Sequence, residues 1–234
     1  MKVLKEPTLS NEGFKVLGLE QYMSSQLVEL QEDVYSKLEP GQNAANKLCR
    51  GIRWGQYTSD GFTWLDRDTY SLPEDLNHEE KGRVRRFQLI DKSFLSLPEV
   101  EEMFHLIFEQ WDFAERPSHR AYEIQLSAIR YEPNLYDNGV AIPSPIYPHQ
   151  DLIDGAIIVL NRKGNFMGGV SRIYSLDDEP LYEFDLQVGE ALLVKDQMVK
   201  HQVTPLLVSP QDDWRPNHRA YRDILIVRFQ PVGR

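Results

Sequence analysis

Apolar residues at Leu19, Tyr22, Met23, Leu27, Leu30, Val34, Tyr35 and Leu38 recur three and four positions apart. That spacing lines one face of a helix, and Glu39-Pro40-Gly41 stops it. A second stripe, Val100, Met103, Phe104, Leu106, Ile107 and Trp111, follows Leu97-Pro98-Glu99 and predicts another helix starting there. Ahead of both, 11–17 reads as a short strand. Beyond residue 120 the pattern changes to short apolar runs at 122–131, 140–142, 156–161, 169–174, 181–186, 191–195, 202–208 and 224–229, separated by Gly, Pro, Asn and Asp. Runs of this length and spacing predict an antiparallel β barrel or sandwich. With helices confined to the first half, the expected fold is mainly β with flanking helices, and the helices pack outside the sheet. The sequence contains no internal repeat and no low-complexity tract.

Composition narrows the class. A chain of 234 residues fits one domain over 1–234, with a helical and strand support over about 1–120 and the β core over about 121–230. Hydrophobic residues make up 41% and charged residues 26%, which excludes extensive disorder. The net charge of −10 argues against nucleic acid or an anionic membrane as a partner. The basic patch Lys81-Gly82-Arg83-Val84-Arg85-Arg86 is short and isolated, and is expected to be a solvated face. Cys49 is the one cysteine, so no intramolecular disulfide forms, and it is expected to be a small buried residue rather than a nucleophile. The stretch 1–7 lacks the apolar core of a signal peptide and no run is long enough to cross a membrane, so a cytoplasmic location is expected. A homodimer is compatible with this length, although nothing in the sequence marks an interface.

The chemistry concentrates between Tyr147 and Pro205. His149-Gln150-Asp151 would place an imidazole and a carboxylate on the same side of an extended chain. A second imidazole, His201, lies 50 residues after Asp151 and must arrive from a strand distant in sequence. Pro143, Pro145 and Pro148 crowd the approach to His149, and Gly155 and the run 156–160 follow, so the pair is expected where a rigid turn enters a buried strand. Two histidines and one carboxylate on one face of a metal leave the opposite positions open, as in non-haem Fe(II) oxygenases. His218 is the rival third ligand, but it lies between Arg215 and Arg219, whose charge opposes metal binding. His105, in the second helix, is expected to be partly exposed.

The ordered set His149-Gln150-Asp151, Gly155, Asn161-Arg162, Asn165, Gly168-Gly169, His201-x-Val203-Thr204-Pro205 and Arg222-x-x-Leu225-x-x-x-Phe229 resembles the 2-oxoglutarate/Fe(II) dioxygenases of the bacterial L-isoleucine 4-hydroxylase group. The similarity spans about residues 125–229. In one respect the chain departs from that group's pattern. The glycine that usually follows the His-x-Asp pair comes only after Leu152-Ile153-Asp154, which bears on the loop and on substrate choice. The resemblance implies a double-stranded β-helix (jelly-roll, cupin-like) core and a metal triad of His149, Asp151 and His201. It also implies Fe(II) and 2-oxoglutarate, with ascorbate as reductant in vitro, and oxidation by O₂ of a free, aliphatic L-amino acid at carbon or at a thioether sulfur, with release of succinate and CO₂.

A 2-oxoglutarate co-substrate leaves a distal carboxylate that needs a buried cation. Arg222, 21 positions after His201, begins the last strand and shares a face with Ile224, Ile226 and Arg228, so Arg228 is the alternative and a pairing with Asp223 the structural one. Arg215 and Arg219 look solvent-facing. On the substrate side, Arg50 and Arg53 lie on opposite faces of an extended segment, so at most one pairs with a substrate carboxylate. Gln125 and Tyr131 share a strand face and are candidates to border the site. Asn165 is expected to serve a turn, and Gly168 and Gly169 to allow close backbone packing. Two rivals stay open: another metal-dependent jelly-roll enzyme, and a non-catalytic metabolite-binding β domain.

Overall fold

A computed structural model describes residues 8–40, 49–70, 84–111, 121–133, 139–143, 145–151, 153–209 and 219–232. The first half holds α1 (Leu9–Glu12), β1 (Phe14–Gly18), α2 (Ser25–Ser36), β2 (Cys49–Thr58), β3 (Gly61–Leu65), β4 (Thr69–Tyr70), β5 (Arg85–Arg86), β6 (Gln88–Leu89), α3 (Lys92–Leu95) and α4 (Pro98–Glu109). The second half is strands: β7 (Tyr122–Tyr131), β8 (Val140–Ala141), β9 (Gly155–Lys163), β10 (Phe166–Gly168), β11 (Ser171–Tyr174), β12 (Pro180–Phe184), β13 (Glu190–Val194), β14 (Lys200–Val203), β15 (Leu206–Val208) and β16 (Tyr221–Pro231).

The main sheet runs β1-β13-β9-β16-β7-β2-β3, with β6 beside β2. Its two faces are both buried. Toward the helices, Leu27, Val34, Phe104, Ile107 and Phe108 pack on Ile124, Leu126, Ile158, Leu225 and Val227. On the other face Ile129, Ile157, Val159, Leu192 and Ile224 meet Ile173 and Leu206 of the small sheets β12-β11-β14 and β10-β15-β8. This is the mainly β jelly roll with outside helices that the sequence leads one to expect, and double burial explains why 156–160 is apolar without alternation.

Several elements differ from the sequence expectation for local reasons. The stripe over 19–38 is not one helix, because Ser24 caps α2 by accepting from Leu27 N at 3.1 Å and only a single 3₁₀ turn, Glu20–Tyr22, precedes it. Gly13, at φ 78°, turns α1 into β1. The run 202–208 is split at Thr204-Pro205, since proline cannot continue the ladder, and β14 and β15 pair with different strands. The residues after Thr58, for which the sequence pattern predicts no element, form β3, hairpinned onto β2. The basic patch lies partly outside the described residues; Arg86 pairs with Asp68 at 2.8 Å.

The register of β16 is fixed from its helix side. Arg130 grips Asp223 through two bonds of 2.7 Å each, and Gln31 of α2 donates to the same carboxylate at 2.6 Å. Where the β16–β9 ladder shifts register between Asp223 and Ile224, Tyr35 donates to the Ile224 carbonyl at 2.7 Å. Asp223 is therefore committed to the helix side, and Arg222 and Arg228 face the interior of the roll. Arg219 faces solvent as expected, and also makes a two-bond pair with buried Glu132 at 2.6 and 2.7 Å. Replacing Arg130 by Met strands the buried Asp223 carboxylate, so urea unfolding of that variant is expected to show a loss of roughly 3–5 kcal/mol.

Candidate metal centre

His149 and His201 face one another across an isolated antiparallel bridge, His149 N donating to His201 O at 3.1 Å and His201 N to His149 O at 2.9 Å. Their ring centroids are 4.3 Å apart. Asp151 completes the cluster, its oxygens 3.9 Å from His149 Nε2 and 3.8 Å from His201 Nε2. One donor atom from each residue lies within 4.8 Å of the others, a spacing that could hold one metal ion. The shared direction of His149 and Asp151 does not come from a regular strand, as the sequence suggested, because β9 begins only at Gly155. The bridge to β14 orients His149, and Arg228 of β16 orients Asp151 with bonds of 2.6 and 3.1 Å to Oδ2.

Each candidate ligand has a close polar neighbour. Tyr147 O lies 3.1 Å from His149 Nδ1, which directs Nε2 toward the cluster. Burial, and then neighbouring His201, push the His149 pKa down, favouring the neutral imidazole that metal binding requires. Burial alone would raise Asp151, but Arg228 foremost and the two histidines hold it well below the usual carboxylate range. Behind His201, Asp196 Oδ1 stands 3.5 Å from Nδ1. The backbone of Asp196 is in turn fixed by the Gln150 amide on its carbonyl and by Asp154 Oδ1 on its N–H at 3.1 Å, and Trp111 donates to Asp154 Oδ2 at 3.1 Å. Asp154 belongs to the segment that separates Asp151 from Gly155, so its carboxylate braces the turn before His201; Leu152 is outside the described residues. Sequence reasoning missed Asp196 and Asp154, because neither stands in a spacing that marks it.

Arg222 lies opposite Tyr131 and Arg162 in the ladders. It is 0% exposed, and its Nε, Nη1 and Nη2 have no hydrogen-bond partner. Burial pulls its pKa down to about 10. The guanidinium is sealed in the interior of the roll beside Tyr131, and an unpaired buried cation is costly unless an anion joins it. Gly169 lies beside its stem, where a Cβ would make an ordinary contact of 3.5 Å with Arg222 Cδ, so its φ of 71° and not space is what favours glycine. Gly168, at φ 84°, is under a harder constraint, since a Cβ would lie 1.8 Å from Pro205 O.

The cavity at the cluster is lined by His149, Asp151, His201, Tyr131 and Arg228 together with apolar walls such as Ile157, Val194 and Ile226. Arg50 and Arg53 part company as their spacing requires. Arg53 points away from the cavity and is used up by Ile90 O at 2.5 Å, Leu65 O at 3.1 Å and Asp66 at 2.7 Å. It is therefore removed as a substrate ligand. Arg50 is on the opposite, inner face of the sheet, the face of Ile129 and Tyr131, and donates to Ser127 Oγ at 2.9 Å. His105 packs against Tyr57 and Phe62, away from the cluster. His218 and Arg215 lie outside the described residues. Cys49 is buried, as expected of a small apolar residue, and no helix among the described residues is long and apolar enough to cross a membrane.

A jelly roll that gathers two histidines and an aspartate in the lining of its cavity is a scaffold suited to a metal-dependent oxygenase. Residues 32–228 match the model of the 2OG-Fe dioxygenase family, and the chain belongs to that family; it is a non-haem Fe(II)/2-oxoglutarate-dependent dioxygenase. It is 26% identical over 230 residues to the L-isoleucine-4-hydroxylase of Bacillus thuringiensis, covering 94% of this chain and 88% of that protein. Among solved structures, the fold is similar to a bsmA homolog from Methylobium petroleophilum PM1 (TM-score 0.77, 21% identity, 98% of this chain and 96% of that one). It is also similar to IDO from Bacillus thuringiensis (TM-score 0.74, 20% identity, 95% and 96%). Membership sets aside the non-catalytic domain and the keto-acid-independent enzyme.

The donor set fits Fe(II), with nitrogen and oxygen ligands and an open side. Because protons compete for the His149 imidazole, whose pKa burial pushes down, Mn(II) affinity measured by titration is expected to hold through about 6.5, the ordinary histidine value, and to fall only at lower pH. Asp151→Ala is expected to abolish Mn(II) binding while circular dichroism reports an intact fold.

Proposed function

We propose that this dioxygenase hydroxylates the side chain of a free, aliphatic L-amino acid, or oxidises a thioether sulfur, with release of succinate and CO₂. In this reading His149, Asp151 and His201 hold Fe(II), and Arg222 receives the distal carboxylate of 2-oxoglutarate. The observation that carries it is the sealed Arg222, a buried guanidinium with three unpartnered nitrogens on the inner face of the strand that also sends Arg228 to Asp151. Arg228, the alternative cation, is already engaged with Asp151, which favours Arg222. The similarity to an L-isoleucine-4-hydroxylase over nearly the whole chain supports the amino acid class.

When bound, iron with the keto acid and O₂ supplies the oxidising power. The chain's part is binding and orientation. Tyr147 O holds the His149 imidazole, Asp196 stands 3.5 Å from that of His201, Arg228 keeps Asp151 anionic, and Ile157, Val194 and Ile226 supply the apolar walls of the cavity. Tyr131, whose phenol burial holds in the protonated form, stands beside Arg222 as a donor for the same carboxylate.

Succinate release from 2-oxoglutarate with Fe(II) and ascorbate under air, screened over the twenty amino acids, tests the reading. Stimulation by at least one aliphatic or thioether amino acid is expected, and stimulation by none of them contradicts the substrate class. Arg222→Met is expected to raise the KM for 2-oxoglutarate on the order of 10- to 100-fold, the loss of a charged hydrogen-bonded pair, with the Fe(II) requirement changed much less. An unchanged 2-oxoglutarate KM rules out Arg222.

A further inference from the structure

Beside the candidate metal cluster, the inner face of the main sheet carries polar side chains that neither the metal nor the keto acid uses. Alternation along β2 and β7 puts Arg50, Gln125 and Ser127 on that face, together with Tyr131. In the ladders Arg50 lies opposite Ile129, and Gln125 lies between Trp54 and Arg228. Arg50 gives Nη2 to Ser127 Oγ, and its buried Nε has no partner. Gln125 is 4% exposed, and both its amide nitrogen and its amide oxygen are buried without a partner. Native proteins rarely leave such groups unsatisfied, since each costs about 1–3 kcal/mol.

The charges point the same way. Arg50 and Arg228 stand on one face, close enough that Arg50 is pulled down to about 10, first by burial and then by Arg228. Phe87 and Tyr70 flank the Arg50 guanidinium with ring centroids 5.0 and 5.7 Å away, which holds its plane while leaving its edge free. Arg228 has the Asp151 carboxylate; among the described residues no carboxylate pairs with Arg50. In a chain of net charge −10, a cation without a carboxylate among the described residues, on the sheet face that gives Tyr131 and Arg228 to the cavity, is placed for an anion from outside.

We propose that Arg50 and Gln125 form the head-group subsite of the substrate, Arg50 pairing with the α-carboxylate of a free amino acid and the Gln125 amide oxygen accepting from its ammonium. It rests on the amino acid reading above and adds how the free zwitterion is told from a peptide or an amine. Arg53 cannot serve, its three acceptors being on the other face. Ser127 is a positioning residue, aiming the Arg50 fork. The apolar side chain then extends toward the metal cluster along the cavity walls.

The test is calorimetric titration, without O₂, of protein loaded with Mn(II) and 2-oxoglutarate. The probes are L-isoleucine, L-leucine and L-methionine, each with its decarboxylated amine and its deaminated acid. The parent protein is expected to bind at least one amino acid 10- to 100-fold more tightly than the matching amine, the range of a charged hydrogen-bonded pair. Arg50→Met is expected to erase that difference by weakening the amino acid alone, and Gln125→Leu to narrow the gap between amino acid and deaminated acid. Should Arg50→Met fail to fold, the parent's discrimination and its narrowing in Ser127→Ala decide. If the amine binds as tightly as the amino acid, or Arg50→Met weakens both equally, the subsite is overturned and the amino acid class stands. If no amino acid binds while 2-oxoglutarate does, the class itself falls.

Discussion

Strand β16 carries opposite commitments on its two faces, and the site depends on that division. Asp223 is clamped on the helix side by Arg130 and Gln31, which leaves Arg222 and Arg228, one position before it and five after, no choice but the interior of the roll. A slip of one residue would bury Asp223 among the ligands and send both arginines into the helices, so register is specified by charge as well as by apolar packing. The clamp lies on the face opposite the metal cluster and contacts no ligand, yet it sets where both cations point.

The candidate metal cluster is assembled by contacts of the same kind. A backbone bridge brings His149 to His201, and Arg228 reaches across from β16 to hold Asp151. Asp196, Asp154 and Trp111 brace the turn that delivers His201. The cations therefore divide the work in the proposed enzyme: Arg228 for the ligand carboxylate, Arg222 for the keto acid and Arg50 for the substrate. Each faces the interior of an acidic chain, where low dielectric makes a single pairing count for more than at the surface.

Much of this was legible in the sequence, and the reason is periodicity. Residues 122–131 alternate in a way that a strand dictates, and Arg222, Ile224, Ile226 and Arg228 share a face as their spacing requires. His-x-Asp and the distant His201 stood out because ligand chemistry restricts residue type. What the sequence hid depends on contacts between strands far apart in the chain. Nothing local marks Asp223 as Arg130's partner, Asp154 as the brace of Asp196, or Arg53 as spent on Asp66 while Arg50 is not. The helix expected over 19–38 was broken by Ser24, a cap inside an otherwise continuous apolar stripe.

A crystal structure of the protein grown without O₂ in Mn(II) and 2-oxoglutarate tests the account most directly. The account places one ion on His149 Nε2, Asp151 and His201 Nε2, with the distal carboxylate of the keto acid against the Arg222 guanidinium. An ion elsewhere, or a keto acid whose distal carboxylate bypasses Arg222, would contradict it.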